Sequence, residues 1–138
     1  MQRFGLILGM LALSLAQPGL AQSDGEVTTK QYNDGSVYEG TFKDGVQDGT
    51  GTYRLPNGFE YSGTWVKGQI EGMGRARYPN GSVYEGAFVS GKPEGKGKIN
   101  YADGGSYDGD WLAGEITGTG RATYAGGAVY DGQMLNGK

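Results

Sequence analysis

An all-β fold, built as one elongated, single-layer antiparallel sheet of tandem 23-residue β-hairpins, is what this sequence predicts. Three observations carry the prediction. The 138 residues include 29 Gly and 4 Pro, a fraction bordering on the low-complexity range unless the glycines are periodic. They are periodic: counted from Tyr38, Tyr61, Tyr84, Tyr107 and Tyr130, Gly recurs at the third, eighth, twelfth, fourteenth and twenty-first positions, and beyond residue 21 only Gly25, Gly105 and Gly126 fall off this grid. Finally, the stretches between the glycines alternate with a period of two, which places successive side chains on opposite faces of a strand. A period between about 20 and 50 residues signals stacked supersecondary units in place of disorder.

The N-terminal segment reads as an address. Arg3 precedes an apolar run from Phe4 to Ala16, and a small-x-small triplet follows at Gly19-Leu20-Ala21. These are the three parts of a secretory signal peptide, with cleavage expected near Ala21, leaving domain 1–21 outside the mature fold. The apolar run is shorter than the roughly 20 residues a membrane span needs. Export to the periplasm or beyond is therefore expected, and the absence of Cys is compatible with that compartment.

Residues 22–37 read as an N-terminal half-repeat or cap, followed by the array 38–60, 61–83, 84–106 and 107–129 and a partial unit 130–138. Each unit opens with a strand such as Tyr61-Ser62-Gly63-Thr64-Trp65, in which Tyr61, Gly63 and Trp65 share one side. After a loop, Gly72-Met73-Gly74-Arg75-Ala76-Arg77-Tyr78 alternates likewise, with Gly72, Gly74, Ala76 and Tyr78 on one side and Met73, Arg75 and Arg77 on the other. Pro79-Asn80-Gly81 then separates this strand from the next unit, matched by Asn33-Asp34-Gly35, Pro56-Asn57-Gly58, Ala102-Asp103-Gly104 and Ala125-Gly126-Gly127. Such triplets suit a type I turn closed by a left-handed Gly bulge, a three-residue hairpin loop. Two strands per unit advance the sheet by roughly 10 Å per repeat. Stability must then come from stacked aromatics on one face and contacts between neighbouring units, with glycines leaving room for rings to lie over the backbone.

The unit Tyr61-Ser-Gly63-Thr-Trp65-Val-Lys-Gly68-Gln-Ile-Glu-Gly72-Met-Gly74 resembles the MORN repeat, whose pattern is Tyr-x-Gly-x-Trp/Phe-x-x-Gly-x-x-x-Gly-x-Gly. All four full units match at each of these positions. The resemblance covers residues 38–138, and more weakly 28–37, where Glu26 and Thr28 replace two glycines and Lys30 fills an apolar slot. It implies a single-layer sheet of hairpins that serves as a scaffold, dimerises or contacts proteins or membrane lipids; where such arrays occur in enzymes, a different domain is catalytic.

The candidate sites follow from the two faces. Tyr38, Phe42, Tyr61, Trp65, Tyr84, Phe88, Tyr107, Trp111 and Tyr130 form an aromatic stripe. It reads both as the core of a thin fold and as a groove left partly open for a peptide, glycan or lipid chain. On the opposite face, acids on first strands stand beside bases on second strands, the arrangement of a solvated face with cross-strand pairs. Within it Arg75, Arg77, Lys96 and Lys98 form a basic stripe that could contact phosphate or anionic lipid. The outer edge, Tyr130 to Leu135, is expected to carry unpaired backbone groups and to offer a surface for a protein partner or a homodimer.

Composition excludes much else. His and Cys are absent, which removes His-based triads, Cys nucleophiles and the usual zinc sites. With 12 basic and 15 acidic residues, a net charge of −3 argues against nucleic acid as a partner. The carboxylates are spread one per repeat without a unique pair, and Asp103, Asp108 and Asp110 lack the ligand order of a calcium loop. No enzyme activity and no cofactor or metal are expected; the leading function is a scaffold binding protein or itself, the alternative a peripheral module for membrane lipid or envelope glycan.

Overall fold

The computed structural model describes residues 25–134; the expected signal peptide and the last part of the expected edge, Leu135, lie outside them. The described residues form ten strands: β1 (Thr28–Gln31), β2 (Val37–Lys43), β3 (Val46–Arg54), β4 (Glu60–Val66), β5 (Gln69–Arg77), β6 (Val83–Val89), β7 (Lys92–Asn100), β8 (Ser106–Leu112), β9 (Glu115–Thr123) and β10 (Val129–Gln133). Each pairs antiparallel with its sequence neighbours in one open sheet whose strand order is the chain order. Among the described residues there is no helix.

Two kinds of hairpin alternate. At Pro79-Asn80-Gly81 the Gly81 N–H donates to the Tyr78 carbonyl and the Tyr78 N–H to the Ser82 carbonyl, while Gly81 has φ +94°. This is the expected type I turn closed by a left-handed Gly. The loops after the first strands are tighter. Lys67-Gly68 is a two-residue turn with both φ values positive, as are Asp44-Gly45, Ser90-Gly91 and Ala113-Gly114, which is the hairpin turn whose twist matches that of the strands it joins.

The two hairpin strands of a unit differ by two residues. Gly63 pairs with Gly74 and Trp65 with Ile70, so Glu71, Gly72 and Met73 stand opposite Thr64 alone. The bulge inserts an even number of residues and therefore leaves the inward and outward faces unchanged. Gly72, at φ +82°, makes the bend. The same shift occurs between β2 and β3, β6 and β7, and β8 and β9.

The core lies on one face. Tyr38, Tyr61 and Tyr84 are 0% exposed, because each ring lies over the paired glycines of its own hairpin. A Cβ at Gly63 would stand 2.6 Å from the Tyr61 hydroxyl, and one at Gly74 would overlap the Tyr61 ring. Each hydroxyl donates to the carbonyl three residues on, Tyr61 to Thr64 at 2.9 Å and Tyr84 to Ala87 at 2.8 Å, so the carbonyl at the bulge has a partner.

Candidate functional site

The nine aromatics predicted as a stripe do share one face, and eight of them form a single zigzag of edge-to-face contacts. Tyr38 meets Phe42 of its own unit at 5.0 Å between centroids and Trp65 of the next at 5.1 Å. Tyr61 contacts Trp65 and Phe88, and Tyr84 contacts Phe88 and Trp111. Tyr107 closes the row against Trp111. The indoles of Trp65 and Trp111 also donate to the Gly51 and Gly97 carbonyls, at 3.1 and 3.0 Å.

This closure makes the row the core of a thin fold, the first of its two readings, and corrects the second, an open groove along it. Tyr38, Phe42, Tyr61, Trp65, Tyr84, Phe88, Tyr107 and Trp111 are all buried; Tyr38, Tyr61 and Tyr84 are each flanked by a ring from their own unit and one from the next, and Tyr107 by Trp111 of its own. Tyr130 alone stays open, at 43% exposure. Met134 occupies the slot that Phe or Trp fills elsewhere and is buried. Burial pushes the phenols of Tyr38, Tyr61 and Tyr84 up to about 12 and raises that of Tyr107.

What remains open on this face lies beside the row, at the ends of the second strands. Tyr32, Tyr53, Trp65, Ile70 and Ser90 line a hollow of about 440 Å³ near the first repeats. Tyr101, Tyr107, Ile116, Ala122, Tyr124 and Met134 line another of about 440 Å³ near the last. Between them Phe59 packs tilted against Tyr78, 5.7 Å between centroids. Trp65, Tyr107 and Tyr78 are legible from the sequence as members of this face, whereas Tyr32, Tyr53, Phe59, Tyr101 and Tyr124 do not stand out in it because they sit close to the turns, where the repeat varies. The position after each turn reads Ser36, Phe59, Ser82, Gly105 and Ala128, and of these Ser36 and Gly105 line the two hollows.

On the opposite face half of the basic stripe is engaged. Arg75 lies 3.4 Å from Glu85, and Lys96 forms an ion pair with Asp110. The Lys96 contact holds the Asp110 carboxyl below the usual carboxylate range and raises the Lys96 ammonium. Arg77 and Lys98 make no ion pair among the described residues. Arg54 reaches both Glu39 and Glu60, and Arg121 reaches Asp131. Val66, Val89 and Leu112 are exposed at the turn ends.

The outer side of β10 has no strand beside it among the described residues, and Val129 and Tyr130 are exposed there. Among the described residues no group of three acidic side chains is placed to hold a metal.

The comparisons bear on this geometry. Four consecutive stretches, residues 38–59, 61–83, 84–106 and 107–129, match the family model described as MORN repeat. Among solved structures, the chain is similar to the TCP domain of Drosophila melanogaster SAS-4 (dCPAP) in complex with a proline-rich motif of Ana2 (dSTIL). The two are 17% identical over 78% of this chain and 72% of that one, with a TM-score of 0.41. The comparison with curated proteins gives no match.

Proposed function

The chain belongs to the MORN-repeat family, and from that premise we propose that it is an exported, non-enzymatic scaffold that binds a protein partner or a second copy of itself. Its working surface in this reading is the ring-bearing face together with the outer edge at β10. MORN repeats generally serve as binding modules for proteins or membranes, and the choice of protein rests on one observation. The ring-bearing face is sealed along its middle but keeps two apolar hollows beside its ends, each large enough for a few side chains. The charged face supports the same choice, since Arg75 and Lys96 are already held by Glu85 and Asp110.

Vesicle flotation of the purified protein, with anionic and neutral lipids at low and high salt, tests this reading. The scaffold predicts no flotation with either lipid. Flotation on anionic vesicles that fades at high salt would overturn it in favour of phosphate contact through the basic stripe. Solution mass in the same samples decides whether a second copy is the partner.

A further inference from the structure

The hollow at the last repeats differs from its counterpart three repeats earlier in a way that defines a ligand. In the first, Asp34 Oδ1 carries two donors of its own turn, the Ser36 N–H at 2.8 Å and the Ser36 hydroxyl at 2.6 Å. The Tyr32 ring there is covered by a cation of the same chain, with Lys30 Nζ 5.3 Å from its centroid. At the equivalent positions of the other hollow stand Asp103, Gly105, Tyr101 and Ile99. Asp103 Oδ1 accepts the Gly105 N–H at 2.9 Å, but glycine has no hydroxyl to give. Ile99 brings no charge, and no Lys or Arg lines the hollow among the described residues. Asp103 is its single charged group, and Tyr101 and Tyr124 flank it, 38% and 56% exposed.

Two exposed phenol rings beside a carboxylate that holds one protein donor where its counterpart holds two suit a cation that can both stack and donate hydrogen bonds. Tyr101 directly follows β7 and Tyr124 directly follows β9, so β8 lies between them and their backbones are about 10 Å apart. That spacing leaves width in the hollow for one planar group to lie at van der Waals distance, roughly 3.5–4 Å, from an exposed ring face. A guanidinium meets both requirements, since it stacks on aromatic faces and presents donors to a carboxylate. A quaternary ammonium would leave the free Asp103 acceptor unmet.

We propose that the hollow formed by Tyr101, Asp103, Gly105 and Tyr124 is an arginine-accepting pocket that takes a guanidinium side chain from a protein partner. It rests on the reading of the chain as a protein-binding scaffold and gives that partner a chemistry: an arginine-bearing segment, complementary to a chain of net charge −3. Gly105, one of three glycines off the repeat grid, is the substitution that frees Asp103.

The test is a titration of the purified protein with N-acetyl-arginine methylamide, followed by backbone amide shifts of Gly105, Thr123 and Ala125. Saturable shifts with a millimolar dissociation constant are expected for a single side chain. Asp103→Asn should weaken binding by about 10-fold or more, the worth of a charge-assisted bond. This variant keeps the turn, because Asn57 and Asn80 hold the same place in their own turns with the same bond to the second residue onward. Tyr124→Ala, at an exposed ring, should weaken binding several-fold. Equal affinity for tetramethylammonium, unchanged affinity in Asp103→Asn, or the absence of saturable shifts would overturn the assignment. None of these outcomes alters the flotation result, so failure of the pocket and failure of the scaffold reading are separate.

Discussion

Tyr61 and Phe88 stand edge to face at 5.0 Å and 86° although they belong to different repeats. The same contact joins Tyr38 to Trp65 and Tyr84 to Trp111, so the boundary between units is bridged by the same kind of ring contact as the units themselves. A thin sheet with no second layer has a core of this kind because each ring borrows its neighbour's as a cover.

The Tyr61–Phe88 pair should therefore be energetically coupled across the boundary. A double-mutant cycle with Tyr61→Leu and Phe88→Leu, read by thermal unfolding, should give about 0.5–1.5 kcal/mol of coupling. Additive losses would mean that the rings are buried independently.

Gly74→Val puts a side chain inside the Tyr61 ring and should cost about 3 kcal/mol, near the upper end for overpacking. The expected fall in Tm is roughly 10–20 °C for a domain of this size. Gly126→Ala is the control, since nothing lies within 4 Å of a Cβ there, and its Tm should be unchanged.

Alkaline pH should unfold the protein through its buried phenols. Burial pushes Tyr38, Tyr61 and Tyr84 from 10.0 up to about 12, so the folded state keeps protons that the unfolded chain releases. Stability is full below pH 10 and falls as pH rises from 10 toward 12, by up to about 1.4 kcal/mol per pH unit for each phenol. A Tm series across that window checks the sign, and Tyr84→Phe should flatten the slope.

Acidic side chains fasten each unit to the next. Asp48 accepts the Lys67 N–H at 3.0 Å, Glu71 the Ser90 N–H at 2.6 Å, and Glu94 the Ala113 N–H at 3.1 Å. Each acid caps the tight turn of the following repeat, at a non-glycine residue with φ near +50°. Glu71→Ala should cost about 1 kcal/mol. Arg75→Ala, which breaks only an exposed ion pair with Glu85, should change stability by less than about 0.5 kcal/mol.

Much of this was legible in the residues. The glycine grid and the alternation around Tyr61 and Arg75 give the sheet, its two faces and the Pro79-Asn80-Gly81 turn, because those features are local and repeat in register. The tight turns were not legible, since Lys67, Ser90 and Ala113 are poor residues for positive φ and are held there by acids 19 positions back. Nor was the choice between core and open groove for the aromatic row, which depends on how far Phe88 reaches over Tyr61. The hollow at Tyr101 and Tyr124 depends on two residues, Gly105 and Ala122, that a repeat pattern treats as variation.

The central claim is that the ring-bearing face, and not the charged one, meets a protein. Photo-crosslinking in the producing cells tests it most directly, with the probe placed in turn at Tyr124 on the first face and at Lys98 on the second. Protein adducts from Tyr124, with few from Lys98, are the result predicted. Lipid adducts from Lys98, or equal protein adducts from both positions, would contradict it.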